Sequence, residues 1–319
     1  MYYNVLILLV GLFILILGGD FLVKGATNVA LRFHISPLVV GLTIVAFGTS
    51  APELLISVKA ALEGTPDMTI GNVVGSNICN LALVLGVTAL ISPIHVGPDT
   101  FKIDWPVAMG SSLAFFGVAW YFNEIGMAIG LIFLTLIIIY IVFLLRKSRK
   151  ENRPPEDFDV DPSEVSSSSS WAKVKDYLLI ALGCAGLYQG AEWFVGGAKE
   201  LASVLGVSQR VIGITVLALG TSLPELTTSI IASLKKETDL ALGNLLGSNI
   251  FNVLSILGIT SIITPVTVSQ VFINNDMLWM LGITFVIFPF MFTGRNVARW
   301  EGGMLLVLYV FYIFQVIGN

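Results

Sequence analysis

Two short strings, each written twice, carry the oxygen atoms with which this chain can do chemistry. "GTSAPE" at residues 48–53 returns as "GTSLPE" at 220–225, and "GNVVGSNICN" at 71–80 returns as "GNLLGSNIFN" at 243–252. Glu53 and Glu225 are carboxylates in otherwise apolar stretches with no basic residue nearby, so a bound cation is the obvious counter-charge. Pro52 lacks an N–H, and its ring opposes the carbonyl of Gly48, which loosens the neighbouring carbonyls of Ala46 and Phe47. Pro224 does the same at Gly220. A kinked helix therefore offers carbonyls, the hydroxyls of Thr49 and Ser50 (Thr221 and Ser222 in the second copy) and a carboxylate within about a turn and a half. These are hard oxygen ligands that suit Ca²⁺ or Na⁺, whereas Zn²⁺ or copper would call for imidazole or thiolate.

The amides form a second feature. Asn72, Ser76 and Asn80 are spaced i, i+4, i+8, which makes one polar stripe on an apolar helix, and Asn244, Ser248 and Asn252 repeat it. Gly71 and Gly75 are a small-xxx-small pair that lets helices approach closely. With Asn72 and Asn77 they are expected to make helix contacts, leaving Ser76 and Asn80 to face the carboxylate. Asp20 and Glu192 are also duplicated acids, but Lys24 follows Asp20 by one turn, so a structural ion pair or helix anchor is expected there. Asp67 and Asp239 stand at helix starts and are expected to cap them. His34 and His95 fall in connections without a partner cluster, and no role is assigned to them.

These residues need helices to hold them, and the composition says in what medium. The chain has 319 residues, 55% hydrophobic and 12% charged, with a mean hydropathy of +0.88, which is the composition of an integral membrane protein. Apolar runs long enough to span a bilayer fall near 4–24, 37–62, 69–91, 105–122, 127–145, 175–201, 211–234, 241–263, 277–293 and 301–317. The first has no basic n-region and no evident cleavage site, so it is read as retained. Cys79 and Cys184 both lie in spans, and no disulfide framework is expected. Lys and Arg gather in alternate connections, above all at Arg146, Lys147, Arg149, Lys150 and Arg153. This predicts both termini outside and the central loop in the cytoplasm.

The central segment, 146–172, reads as a linker rich in proline, serine and mixed charge. Asp157, Asp159 and Asp161 imitate the opening of an EF-hand loop, but Pro162 and Ser168 stand where its glycine and closing glutamate belong. On either side lie residues 1–145 and 173–319. Residues 39–96 align with 211–268 at an offset of 172 without a gap, with about 27 identities in 58 positions. Equivalent spans are five crossings apart, and an odd displacement inverts the second copy. The expected fold is an all-α polytopic membrane protein of ten transmembrane helices in two inverted five-helix repeats, an architecture used by secondary transporters with a midplane site.

On these paired motifs the sequence resembles the calcium/cation antiporter family, which includes sodium/calcium exchangers, and the resemblance covers nearly the whole chain. It implies a diamond of ion sites, a calcium site flanked by sodium sites. Glu53 and Glu225 would be the central carboxylates shared by Ca²⁺ and Na⁺, with oxygens of Thr49 and Thr221 beside them. Ser50, Ser76, Ser222 and Ser248, with the carbonyls of Ala46 and Ala218, would complete the outlying sodium sites, and Asn80 and Asn252 would face the centre. Some family members carry aspartate at one of these two amide positions; here both are asparagine.

The expected activity is Ca²⁺/Na⁺ antiport by alternating access across a prokaryotic plasma membrane. Proton/calcium exchange and potassium-dependent exchange are the alternatives, and a passive channel is a third. The partners expected are Ca²⁺, Na⁺ (or H⁺ or K⁺) and the lipid bilayer, with no resident cofactor and no nucleic acid. An intramembrane enzyme would need a nucleophile with its base or a metal motif such as HExxH, and neither histidine lies near the motifs.

Overall fold

The computed structural model describes residues 2–151, 170–205 and 218–318. Their helices fall into ten segments. In order these are α1 (Tyr2–Phe33), α2 (Pro37–Thr49 and Ala51–Leu62), α3 (Pro66–Ile91), α4 (Thr100–Asp104 and Trp105–Phe122) and α5 (Met127–Glu151). The second half supplies α6 (Ser170–Val204), α7 (Ala218–Thr221 and Leu223–Leu234), α8 (Thr238–Ile263), α9 (Phe272–Phe292) and α10 (Arg299–Gly318). Six of them are long and apolar enough to cross a membrane, or seven if the bent α2 is counted as one span. Each segment occupies a stretch that the hydropathy assigned to a span. The residues of the seventh run before Ala218 and the acidic tract at 157–161 lie outside the described residues.

Four two-residue strands tie the halves together. β1 (Ile94–His95) pairs antiparallel with β4 (Asn296–Val297), and β2 (Glu124–Ile125) with β3 (Val266–Thr267). Adding 172 to Ile94 gives Val266 and subtracting 172 from its partner Val297 gives Ile125, which is itself a pair. The repeat operation therefore exchanges the two ladders, as a two-fold relation between the halves requires. The same exchange holds for chain reversals. Gly64 and Lys236 end α2 and α7 at φ of 73° and 63°, so Lys236 carries the left-handed strain that its glycine counterpart avoids.

α1 and α6 run side by side along a seam of glycines. A methyl group built on Gly18 would lie 2.6 Å from the Leu187 nitrogen, and one on Gly183 would lie 2.6 Å from the Leu22 nitrogen. Backbones meet there because lipid is as apolar as any side chain, so close packing is what drives association. α2, α3, α7 and α8 form the inner group, where α8 is buried almost throughout from Leu240 to Phe251. α3 and α8 each contain a wider, π-type turn, at Cys79–Val84 and Asn252–Ile256. Such turns often mark functional sites, and Asn80 and Asn252 sit on them.

Candidate functional site

The site is built where α2 and α7 break. Ser50 leaves the helical region (φ −84°, ψ 0°) and the two parts of α2 bend by 45°, while Ser222 does the same in α7 (φ −93°, ψ 6°). Pro52 and Pro224 are each the second residue of the new helix, where a missing N–H has no intrahelical partner to lose. Glu53 and Glu225 follow in the first turn, at the positive end of the helix dipole.

Both carboxylates are fully buried, at 0% exposure, and they face each other closely enough to interact directly. Ser50 Oγ donates to Glu225 Oε1 at 3.3 Å. Both oxygens of Glu53, Oε2 of Glu225, Oδ1 of Asn80, Oδ1 of Asn252 and Oγ of Ser222 are buried without a hydrogen-bond partner. Five of these are acceptors with no proton of their own. Burying carboxylates this way is costly unless positive charge compensates them, and unpartnered oxygen is the ligand that a hard cation takes.

The remaining candidates surround this centre. Thr49 Oγ1 lies 3.1 Å from Asn244 Oδ1, 3.4 Å from Ser248 Oγ and 3.4 Å from the Ala46 carbonyl. That carbonyl also accepts the Ser50 N–H at 2.9 Å. In the other half Thr221 Oγ1 lies 3.5 Å from Ser76 Oγ, and Ala218 begins α7. Asn80 Nδ2 donates to Asn249 Oδ1 at 3.2 Å and Asn252 Nδ2 to Asn77 Oδ1 at 3.1 Å. Each central amide thus has its nitrogen tied to the opposite repeat and its oxygen left over. Asn72 sits further out, donating to the Glu53 carbonyl at 3.1 Å and to Ser57 Oγ at 2.9 Å.

Two local expectations are corrected. Asp20 pairs with Lys235 of α7 at 2.5 Å and not with Lys24, because the packing of α1 on α7 brings in a cation that sequence spacing cannot reveal. Asp67 and Asp239 lie within the first turns of α3 and α8, where they complement the dipole, and the cap positions belong to Thr65 and Glu237. The second glycine pair makes a close helix contact, where a methyl on Gly247 would meet Leu42 Cα at 2.8 Å. The contact expected of Gly71 and Gly75 falls on residues outside those described. Residues 206–217, the counterparts of 34–45, are outside the described residues.

Two features escaped the sequence reading. Ser57 and Ser229 receive the amides of Asn72 and Asn244, and the signal was there, since both serines follow the glutamate by one turn in each copy. Tyr140 donates to Asp104 Oδ1 and Tyr312 to Asp276 Oδ1, each at 2.9 Å. The two acids are 172 residues apart in the sequence, and so are the two tyrosines.

A helical membrane protein whose two repeats each bring one buried carboxylate, hydroxyls and an amide to a common centre has the construction of a secondary ion transporter. The family model described as sodium/calcium exchanger protein matches residues 3–146 and 175–318, and the chain belongs to that family. It is 34% identical to the sodium/calcium exchanger MaX1 of Methanosarcina acetivorans over 97% of each chain. It is also 34% identical to the uncharacterized membrane protein MJ0091 of Methanocaldococcus jannaschii, over 96% of this chain and 95% of that one. Among solved structures, the sodium-calcium exchanger NCX_Mj soaked with zero Na⁺ and Ca²⁺ superposes with a TM-score of 0.83 at 32% identity, covering 98% of both chains. This is a transporter family and not an enzyme family.

Proposed function

We propose that this chain exchanges Ca²⁺ for Na⁺ across a prokaryotic plasma membrane, through one site that opens alternately to each side. The observation that carries the reading is the set of oxygens of Glu53, Glu225, Asn80 and Asn252, drawn from both repeats and each buried without a hydrogen-bond partner. Two carboxylates balance the charge of one Ca²⁺. Several Na⁺ ions satisfy the same oxygens, with Thr49, Thr221, Ser50, Ser222, Ser76, Ser248 and the carbonyls of Ala46 and Ala218 as ligands of the outlying positions. Solved structures of NCX_Mj soaked with 2.5 mM Na⁺ and 0.1 mM Ca²⁺, or with 100 mM Na⁺ and 10 mM Sr²⁺, support these ions as the cargo.

Obligatory exchange follows from charge. With no cation bound, the doubly negative site resists passage through a closed, low-dielectric state, so α1 and α6 slide past α2, α3, α7 and α8 only when it is neutralised. Exchange of one Ca²⁺ for more than two Na⁺ moves net charge and responds to voltage. Residues 1–145 and 173–319 are the two functional halves joined by the 146–172 linker, with the linker in the cytoplasm and both termini outside.

The test is calcium release from loaded proteoliposomes with Na⁺, K⁺ and H⁺ gradients imposed in turn. Release driven by Na⁺ alone at fixed pH is the expected result. Release driven only by H⁺, or only when K⁺ accompanies Na⁺, would assign the coupling differently. Flux that neither saturates nor needs a counter-ion would mean a channel.

A further inference from the structure

The 172-residue relation maps one half onto the other, so the places where the halves differ report the state of the molecule. One such difference lies between the paired long helices and the ion site. Glu192 of α6 lines a cavity of about 540 Å³ together with Pro52, Leu55, Lys59, Lys199 and Thr221. Lys59 is 76% exposed at one end, and Thr221 reaches Ser76 of the site at the other.

The equivalent space beside α1 is shut. A methyl built on Gly19, the counterpart of Ala191, would lie 2.7 Å from Ile231 Cδ1 and 3.1 Å from Thr227 Cγ2. Ile231 and Thr227 are the counterparts of Lys59 and Leu55, which line the open cavity. At the same place Asp20, the counterpart of Glu192, is held by Lys235 at 2.5 Å. Glu192 forms no ion pair among the described residues, and its Oε1 accepts a 3.4 Å hydrogen bond from the Tyr188 hydroxyl.

We infer that Glu192 and Asp20 are alternating entrance residues: the acid on the open side draws the metal cation toward the shared site, while the acid on the shut side is neutralised by a lysine. The inference rests on the exchange reading. Glu192 offsets the two lysines of the same cleft, so it raises the local cation concentration and the capture rate above what a neutral residue there would allow. Opening the α1 side separates α1 from α7, which carries Lys235 away from Asp20 and releases its charge. Closing the α6 side brings Lys59 and Lys199, already in the same cavity, onto Glu192. The Asp20–Lys235 pair, with side chains 38–44% exposed, contributes little to holding the state, so its effect is on charge.

The experiment uses the full chain in uniformly oriented proteoliposomes, with Ca²⁺ dependence of uptake measured from each face. Glu192→Gln raises the KM for Ca²⁺ by about threefold to tenfold at one face only, with the change confined to KM and abolished at high ionic strength. Glu192→Asp restores it, and Asp20→Asn moves the KM of the opposite face. A KM unchanged at both faces, or raised equally at both, in a Glu192→Gln protein that still exchanges would overturn the inference alone. A wild-type chain without exchange would instead remove the function on which it rests.

Discussion

Asn77 and Asn249 clasp each other across the two repeats: Asn77 Nδ2 donates to the Asn249 carbonyl at 3.4 Å, and Asn249 Nδ2 donates to the Asn77 carbonyl at 3.1 Å. Their side-chain oxygens, at the same time, receive the amides of Asn252 and Asn80. Four asparagines thus form one network in which two hold the helices and two are held. The held pair keeps its own side-chain oxygens buried and without a hydrogen-bond partner. An amide can do this and a leucine cannot, because each of its ends has a different hydrogen-bonding character.

Replacing Asn77 with alanine leaves the buried side-chain amide of Asn252 without its acceptor and takes one donor from the Asn249 carbonyl. The expected loss is about 1–3 kcal/mol of stability, seen as a lower thermal midpoint in detergent. Ca²⁺ binding weakens in the same protein, because Asn252 loses the bond that orients it. A variant with wild-type melting and wild-type affinity would contradict this account of the network.

Tyr140→Phe removes the only side-chain hydrogen bond formed by Asp104 among the described residues and leaves both its carboxylate oxygens unpartnered, at 1% exposure. Destabilisation of about 1–3 kcal/mol is expected. Tyr312→Phe at the equivalent Asp276 costs less, because that acid is 8% exposed and water replaces part of the bond. Thermal unfolding of the two variants side by side reads the order directly.

Gly243→Ala tests the seam between α8 and α2. The new methyl would stand 3.0 Å from the Leu42 nitrogen, 3.2 Å from Gly41 Cα and closer still to the Leu38 carbonyl. Backbone cannot rotate away as a side chain can, so a loss of about 1–3 kcal/mol is expected. Gly282→Ala, with nothing within 4 Å among the described residues, is the control and melts as the wild type does.

Much of this structure was legible in the sequence because bilayer and repeat impose strong patterns. A span must be apolar for about 20 residues, and Glu53 is conspicuous in such a run. Its recurrence as Glu225, with Thr49 over Thr221 and Asn80 over Asn252, identified candidates that the fold brings together. What was not legible depends on contact between helices that spacing does not encode. Lys235 lies more than two hundred residues from Asp20, and the clasp of Asn77 with Asn249 depends on how α3 and α8 cross. No group of three His, Cys, Asp or Glu residues that could hold a metal stands among the described residues, so two carboxylates among neutral oxygens were the sign to read.

The central claim is that Glu53 and Glu225 together hold the exchanged cation. Sodium-driven ⁴⁵Ca²⁺ flux in proteoliposomes, compared between wild type and Glu53→Gln, tests it most directly. Wild type is expected to exchange, and Glu53→Gln, though folded and inserted, is expected to lose exchange by at least about a hundredfold, as for removal of an interaction of about 2.7 kcal/mol or more. A Glu53→Gln protein that exchanges calcium at the normal rate would contradict the account.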